Sequence, residues 1–197
     1  TIWPLEQITD VTTTAHQLGL ATHLDGARLW NAAAATGIAE AQYAAGFDTV
    51  SVCFSKGLGA PMGSALAGST ELIATARRVK QMLGGGFRQA GMMAAGALYA
   101  VQEHRARLVE DHDNADRLAR GISEIPGLAI NGHGPATNIL SFRVEAMPAY
   151  DFSTRCNDRG VALLALSADT IRVVTHLGVN QTDVDQALEV IFEVVAS

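Results

Sequence analysis

The sequence is poor in charge, in cysteine and in long apolar runs. Charged residues fill 17% of its 197 positions and hydrophobic residues 48%. A disordered chain carries the opposite balance, so this composition predicts a globular protein with extensive burial, large enough for one or two domains. Basic residues are outnumbered, 14 Lys and Arg against 20 Asp and Glu, for a net charge of −6. That argues against nucleic acid and anionic membranes as partners. No apolar run approaches the length of about 18 residues that a membrane-spanning helix needs. No secretory leader is visible, which carries no weight in a chain that starts at Thr1. Cysteine occurs only at Cys53 and Cys156. Thiols so far apart in sequence suit reduced, buried side chains in a cytosolic protein better than a disulfide.

What is present is a regular alternation of helix and strand signals. Pro4 to Leu18 is apolar at Leu5, Ile8, Val11, Ala15 and Leu18, the spacing of a helix, and Gly19 ends it. Thr22 to Leu24 and Asp48 to Phe54 read as short buried strands, and Ser64 to Ala67 as a third. Between them, Ala27 to Thr36 and Ile38 to Ala45 read as short helices. Thr70 to Met82 is a helix with Ser69 or Thr70 as N-cap and Glu71 in the first turn. Gln89 to Glu103 is rich in small and apolar residues and predicts a deeply buried helix. Arg105 to Ile125 predicts a long amphipathic helix stopped by Pro126 and Gly127. The texture then changes to strands at 128–130, 137–144 and 170–174, with helices at 150–159 and 181–195. The expected organisation is an α/β unit over residues 1–108 and a small α+β domain over residues 109–197.

The stretch Ser51 to Gly59, SVCFSKGLG, concentrates the chemistry. A buried strand breaks into Ser55, Lys56 and Gly57. An ammonium at the end of such a strand is expensive to desolvate. It needs a carboxylate partner, a lowered pKa or a covalent imine, unless it is simply a surface lysine in a glycine-rich turn. Upstream, a second apolar strand runs into Asp25, Gly26, Ala27 and Arg28. Ligands of open α/β sheets sit beyond the carboxyl ends of strands. The glycines at 57, 59 and 63 resemble a dinucleotide fingerprint, but the spacing is one residue too long, includes Pro61 and leads into a strand.

Three motifs in order, HLDGAR (His23 to Arg28), FSKGLG (Phe54 to Gly59) and LGGGFRQAG (Leu83 to Gly91), resemble the pyridoxal-phosphate-dependent L-threonine aldolases. The likeness continues through EDHDNADRLA, TNILSF and IRVVTHLGV, so it covers essentially the whole chain. It implies the aspartate-aminotransferase-like fold, fold type I. Residues 1–108 would then be the C-terminal part of the cofactor-binding large domain. The small C-terminal domain would follow, and the chain would match the C-terminal three-fifths of a longer protein. It also implies pyridoxal 5′-phosphate as cofactor, no metal, a homodimer or homotetramer, and a cytoplasmic location.

Residue by residue, the resemblance implies that Lys56 forms the Schiff base and Asp25 pairs with the pyridine nitrogen. Asp25 could equally cap the helix that follows it. Arg28 would contact the cofactor's phenolic oxygen or the substrate carboxylate, and Arg172 would fork onto that carboxylate. Ser55 and Arg88 would contact the phosphate, Arg88 across a subunit interface or beside Gly84 to Gly86. Where relatives carry a basic residue three before the triple glycine, this chain has Gln81, with Lys80 next to it. His23 with Asp25 lacks a third metal ligand. His176 reads as structural, and Asp111, His112 and Asp113 as a solvated or domain-interface face. The implied reaction is cleavage of an L-3-hydroxy-α-amino acid, such as threonine or allo-threonine, to glycine and an aldehyde. A β-eliminating lyase, a serine hydroxymethyltransferase-like enzyme and an inactive truncated domain are the alternatives.

Overall fold

The computed structural model describes all residues, 1–197. The chain divides into two compact units, Ile2–Leu108 and Val109–Ser197.

The first unit opens with α1 (Leu5–Gln17), which buries Ile8 and Thr12. Three strands follow: β1 (His23–Gly26), β2 (Thr49–Cys53) and β3 (Ser64–Gly68), in the order β1-β2-β3. β1 and β2 are parallel, and β3 runs antiparallel to β2. The crossover between β1 and β2 carries α2 (Leu29–Thr36) and α3 (Glu40–Ala44). α2 ends on Gly37, whose φ of 71° places it in the left-handed region that glycine adopts freely. Alternation along the strands sorts the two faces. Leu24, Val50 and Val52 pack with Ile8, Leu29 and Tyr43 into a core. His23, Asp25, Thr49 and Ser51 lie on the other face.

β1 is shifted from its expected position. The parallel ladder runs on through Asp25, opposite Ser51, and Gly26, opposite Val52, so both residues belong to the strand. Gly26 is required there, because a Cβ would lie 2.6 Å from the Ser51 carbonyl oxygen.

α4 (Thr70–Met82) matches its expected bounds, with the Ser69 hydroxyl accepting from the Leu72 N–H at 3.2 Å. α5 (Gly91–Glu103) starts later than expected because Gln89 has φ 54°. It is also not deeply buried. Ala97 and Ala100 are covered, whereas Met92 is 79% and Tyr99 59% exposed. Nothing in this chain covers the outer faces of that apolar helix. The long helix expected from Arg105 begins only at Leu108, after a turn.

The second unit is a four-stranded antiparallel sheet with three helices. α6 (Leu108–Ser123) leads into β4 (Leu128–Ile130), β5 (Ile139–Val144), α7 (Ala149–Asn157), β6 (Leu164–Ala165), β7 (Thr170–Val174) and α8 (Gln181–Ala196). The strand order is β4-β5-β7-β6. Leu140, Phe142, Val144 and Ile171 pack with Leu118 and Ile122 of α6, Phe152 of α7, and Val184, Ile191 and Val194 of α8. Arg172, opposite Ser141 in the register, falls on the other face of this sheet. No helix is long and apolar enough to cross a membrane.

Candidate functional site

Asp25 stands on the polar face of β1, near its carboxyl end, with Ser51 of β2 as its neighbour. Its Oδ1 accepts from the Ala27 N–H at 3.2 Å, closing a local turn. The helix-cap reading of Asp25 fails: α2 starts only at Leu29, its N-cap is Arg28, and that cap makes no side-chain hydrogen bond. Arg28 is half-buried at the mouth of the same strand. His23 is absorbed by the sheet, with Nδ1 2.8 Å from Thr49 Oγ1 and Nε2 3.5 Å from Ser51 Oγ.

Lys56 lies three residues beyond Cys53, the last residue of β2, at the same end of the sheet as Asp25. The loop that carries it is closed by its own backbone. The Gly59 N–H donates to the Lys56 carbonyl at 2.9 Å, the Ala60 N–H to Phe54 at 3.0 Å, and the Phe54 N–H to Gly63 at 3.0 Å. Leu58 is fully buried and anchors the turn. Lys56 itself is exposed and carries no ion pair. The desolvation argument from sequence therefore does not apply to this chain. What distinguishes the lysine is a fixed backbone beneath a free amine. Ser55, beside it, is also exposed.

Arg88 stands elsewhere in the first unit. It lines a cleft of about 360 Å³ with Arg77, Lys80, Gln81, Gly86 and Phe87. The triple-glycine loop folds back on the end of α4: the Gly85 N–H donates to the Lys80 carbonyl at 2.8 Å. The Gln81 amide presses on Gly86, where a Cβ would meet Oε1 at 2.6 Å. No acidic residue lines this cleft.

Arg172 belongs to the second unit, flanked in the sheet by Ser141 and Leu164. It is half-buried, and its Nε is a buried donor with no hydrogen-bond partner. In the same unit the polar cluster divides: Asp111 is fully buried, which excludes the solvated reading for it, His112 is half-buried and Asp113 is exposed. Burial holds the His112 imidazole below its usual pKa, against the opposing pull of Asp111 and Asp113. His176 Nδ1 accepts from the Gly178 N–H at 3.1 Å, a turn-forming contact.

Two contacts on the Lys56 loop were not anticipated. His104 Nδ1 donates to the Leu58 carbonyl at 2.7 Å. Asn31, buried in α2, packs on Gly57, where a Cβ would lie 2.6 Å from its Oδ1. The available signal for Asn31 was a lone amide inside the apolar run LWNAAAA. His104 gave none, since a histidine just past a helix end is common.

Compared with known proteins, the sequence matches the family model described as beta-eliminating lyase over residues 1–145. The chain belongs to the beta-eliminating lyase family. Among relatives of this chain, a probable low-specificity L-threonine aldolase 2 of Arabidopsis thaliana is 38% identical over 94% of the chain and 53% of the relative. A low specificity L-threonine aldolase of Escherichia coli K12 is 36% identical over 91% and 53%. The structure of Leishmania major threonine aldolase superposes with a TM-score of 0.80 at 17% identity, covering 99% of this chain and 58% of that one. The fold is thus that of the pyridoxal-phosphate-dependent fold type I enzymes. The lyase family and its threonine aldolases depend on that cofactor. The chain spans about half the length of the curated relatives it matches.

The donor set fits the cofactor. A carboxylate and a free amine stand at the same ends of neighbouring parallel strands, with a guanidinium and a hydroxyl next to them. That is one group each for a ring nitrogen, an aldehyde, a phenolic oxygen and a phosphate.

Proposed function

We propose that the protein this chain belongs to cleaves L-3-hydroxy-α-amino acids, threonine and allo-threonine among them, to glycine and an aldehyde. The observation that carries the reading is the placement of Asp25 and the Lys56 loop at one end of the β1–β2 pair. Likeness to threonine aldolases along nearly the whole chain supports it.

In this reading Lys56 holds pyridoxal phosphate through its amine, and Asp25 keeps the pyridine nitrogen protonated. Arg28 faces the phenolic oxygen or the substrate carboxylate, and Ser55 and Arg88 serve the phosphate. When bound, the cofactor supplies an electron sink for the substrate Cα. Arg172 takes the α-carboxylate. Its planar fork suits a carboxylate, and its unpartnered Nε is a donor in need of an acceptor. In the overall reaction the β-hydroxyl loses its proton, the Cα–Cβ bond breaks, the carbonyl of the aldehyde forms, and Cα is reprotonated as glycine. Domain roles follow: Ile2–Leu108 belongs to the cofactor-binding domain and Val109–Ser197 is the small domain. A homodimer or homotetramer, a cytoplasmic setting suited to two free thiols, and a place in threonine breakdown and glycine supply complete the proposal.

β-Elimination is the second reading, favoured by the family description. Product analysis on the protein with its whole coding region separates the two. Threonine cleavage yields acetaldehyde, read by an alcohol dehydrogenase couple, with glycine in equal amount. Elimination yields ammonia and a keto acid instead, and that outcome contradicts the aldolase reading. Under the aldolase reading Arg172→Ala raises the KM for threonine by about 10- to 100-fold, the loss of one charged carboxylate contact.

A further inference from the structure

The Lys56 loop is held from two sides, by Asn31 at Gly57 and by His104 at Leu58. On one side lies Asn31, so close that Gly57 admits no Cβ. On the other lies His104, immediately after the last turn of α5. Its own N–H closes that helix on the Ala100 carbonyl at 2.9 Å, and its Nδ1 sits 2.7 Å from the Leu58 carbonyl. A carbonyl oxygen only accepts, so Nδ1 carries the proton in this bond. Leu58 lies outside every helix and strand, so its carbonyl has no ladder partner, and His104 supplies the donor. Tyr99 meets the imidazole edge-on, centroids 5.4 Å apart at 90°, which fixes the ring's orientation. The Leu58 side chain packs with Ala97, Ala100 and Leu108 around the same helix end.

We infer that His104 is a positioning residue for Lys56: it pins the backbone two residues past the lysine and leaves the amine free. This rests on the proposed role of Lys56. A flexible amine at the tip of an untethered glycine turn would sample many positions. A lysine whose following backbone is tied to a helix end starts from a fixed Cα, so only its side-chain torsions remain to be ordered when the amine meets a fixed aldehyde.

The test uses the full chain and three variants. His104→Phe keeps a ring against Tyr99 but removes the donor. His104→Asn places an amide N–H where Nδ1 stands. His104→Gln places it at the Nε2 position instead. Two quantities are read: hydrogen exchange of the Gly59 and Ala60 amides without cofactor, and the rate at which pyridoxal phosphate and borohydride label Lys56. H104F and H104Q are expected to speed loop exchange about tenfold, the shift that losing one hydrogen bond produces. Amides of α8 should be unchanged, labelling of Lys56 should slow, and H104N should restore both readings. Loop exchange equal to wild type in H104F overturns the inference. So does a uniform rise across Ile2–Leu108, or a failure of H104N to rescue. Absence of Lys56 label in the wild type would strike the proposed function, while the exchange comparison still decides the tether.

Discussion

Single atoms decide the geometry at several points of the chain. Gly26 is one: its backbone runs so close to Ser51 that any side chain must push the β1–β2 pair apart. Gly26→Ala is expected to cost about 1–3 kcal/mol in chemical denaturation, the range for forcing atoms into a packed site. Cys156 is another. Burial pushes its thiol up to about 11, whereas Cys53 is only half-buried. At pH 8 a thiol reagent should modify Cys53 first and reach Cys156 only when the second unit unfolds, read by mass spectrometry of labelled peptides. Asp48 accepts from the Thr22 N–H at 2.7 Å and also meets the Thr22 hydroxyl and His16. These hydrogen bonds hold its carboxyl below the usual value of 3.8, the Thr22 backbone bond first among them. Its stabilising contribution is therefore complete above that value and is lost as pH falls through the lower folded value. Asp48→Asn should flatten the acid limb of a Tm-against-pH curve and leave its neutral part nearly unchanged in slope. The candidate residues Asp25 and Lys56 could be singled out at this scale because strand ends followed by glycine are visible in sequence. The exposure of Lys56 was not, since period-two patterning reports a strand but not how far the chain travels after it.

Elements differ in how much their own residues dictate. α4 was readable to the residue because Ser69, Thr70 and Glu71 mark its start. α5 was misread for depth: an all-round apolar helix predicts burial, but only the face with Ala97 and Ala100 has a partner in this chain. β6 was missed because two residues carry no period, and it exists only by pairing with β7. α8 is set by a reciprocal cap. Asn180 Oδ1 accepts from the Thr182 and Asp183 N–H groups at 2.8 and 3.1 Å, and Asp183 Oδ2 accepts from the Asn180 N–H at 2.8 Å. Asn180→Ala should lower stability by about 1 kcal/mol, the usual worth of such a cap, without altering the number of unfolding transitions.

Across the whole molecule, each unit has cores of its own, and the second is the more fully closed. Phe142 and Phe152 meet edge-on, 6.0 Å apart, and both are fully buried. Phe152→Ala should cost about 3–5 kcal/mol, by transfer and cavity together. The first unit keeps a strand, β3, exposed along its whole length, and α5 with large apolar side chains in solvent. Relatives of about twice the length share this architecture, and HLDGAR, FSKGLG and LGGGFRQAG were visible in sequence because each sits at a strand end or a turn.

The proposed site turns on Lys56, and the sequence makes it testable, since Lys56 and Lys80 are the only lysines in the chain. The decisive measurement is addition of pyridoxal phosphate, reduction with borohydride and peptide mapping by mass spectrometry, on this chain and on the protein with its whole coding region. The aldehyde condenses with an amine, water leaves, and hydride fixes the bond as a stable secondary amine. Label is expected on Lys56 in the whole protein and is expected to be absent in Lys56→Ala. Label confined to Lys80 or the N-terminal amine, or none with cofactor in excess, would contradict the proposed site.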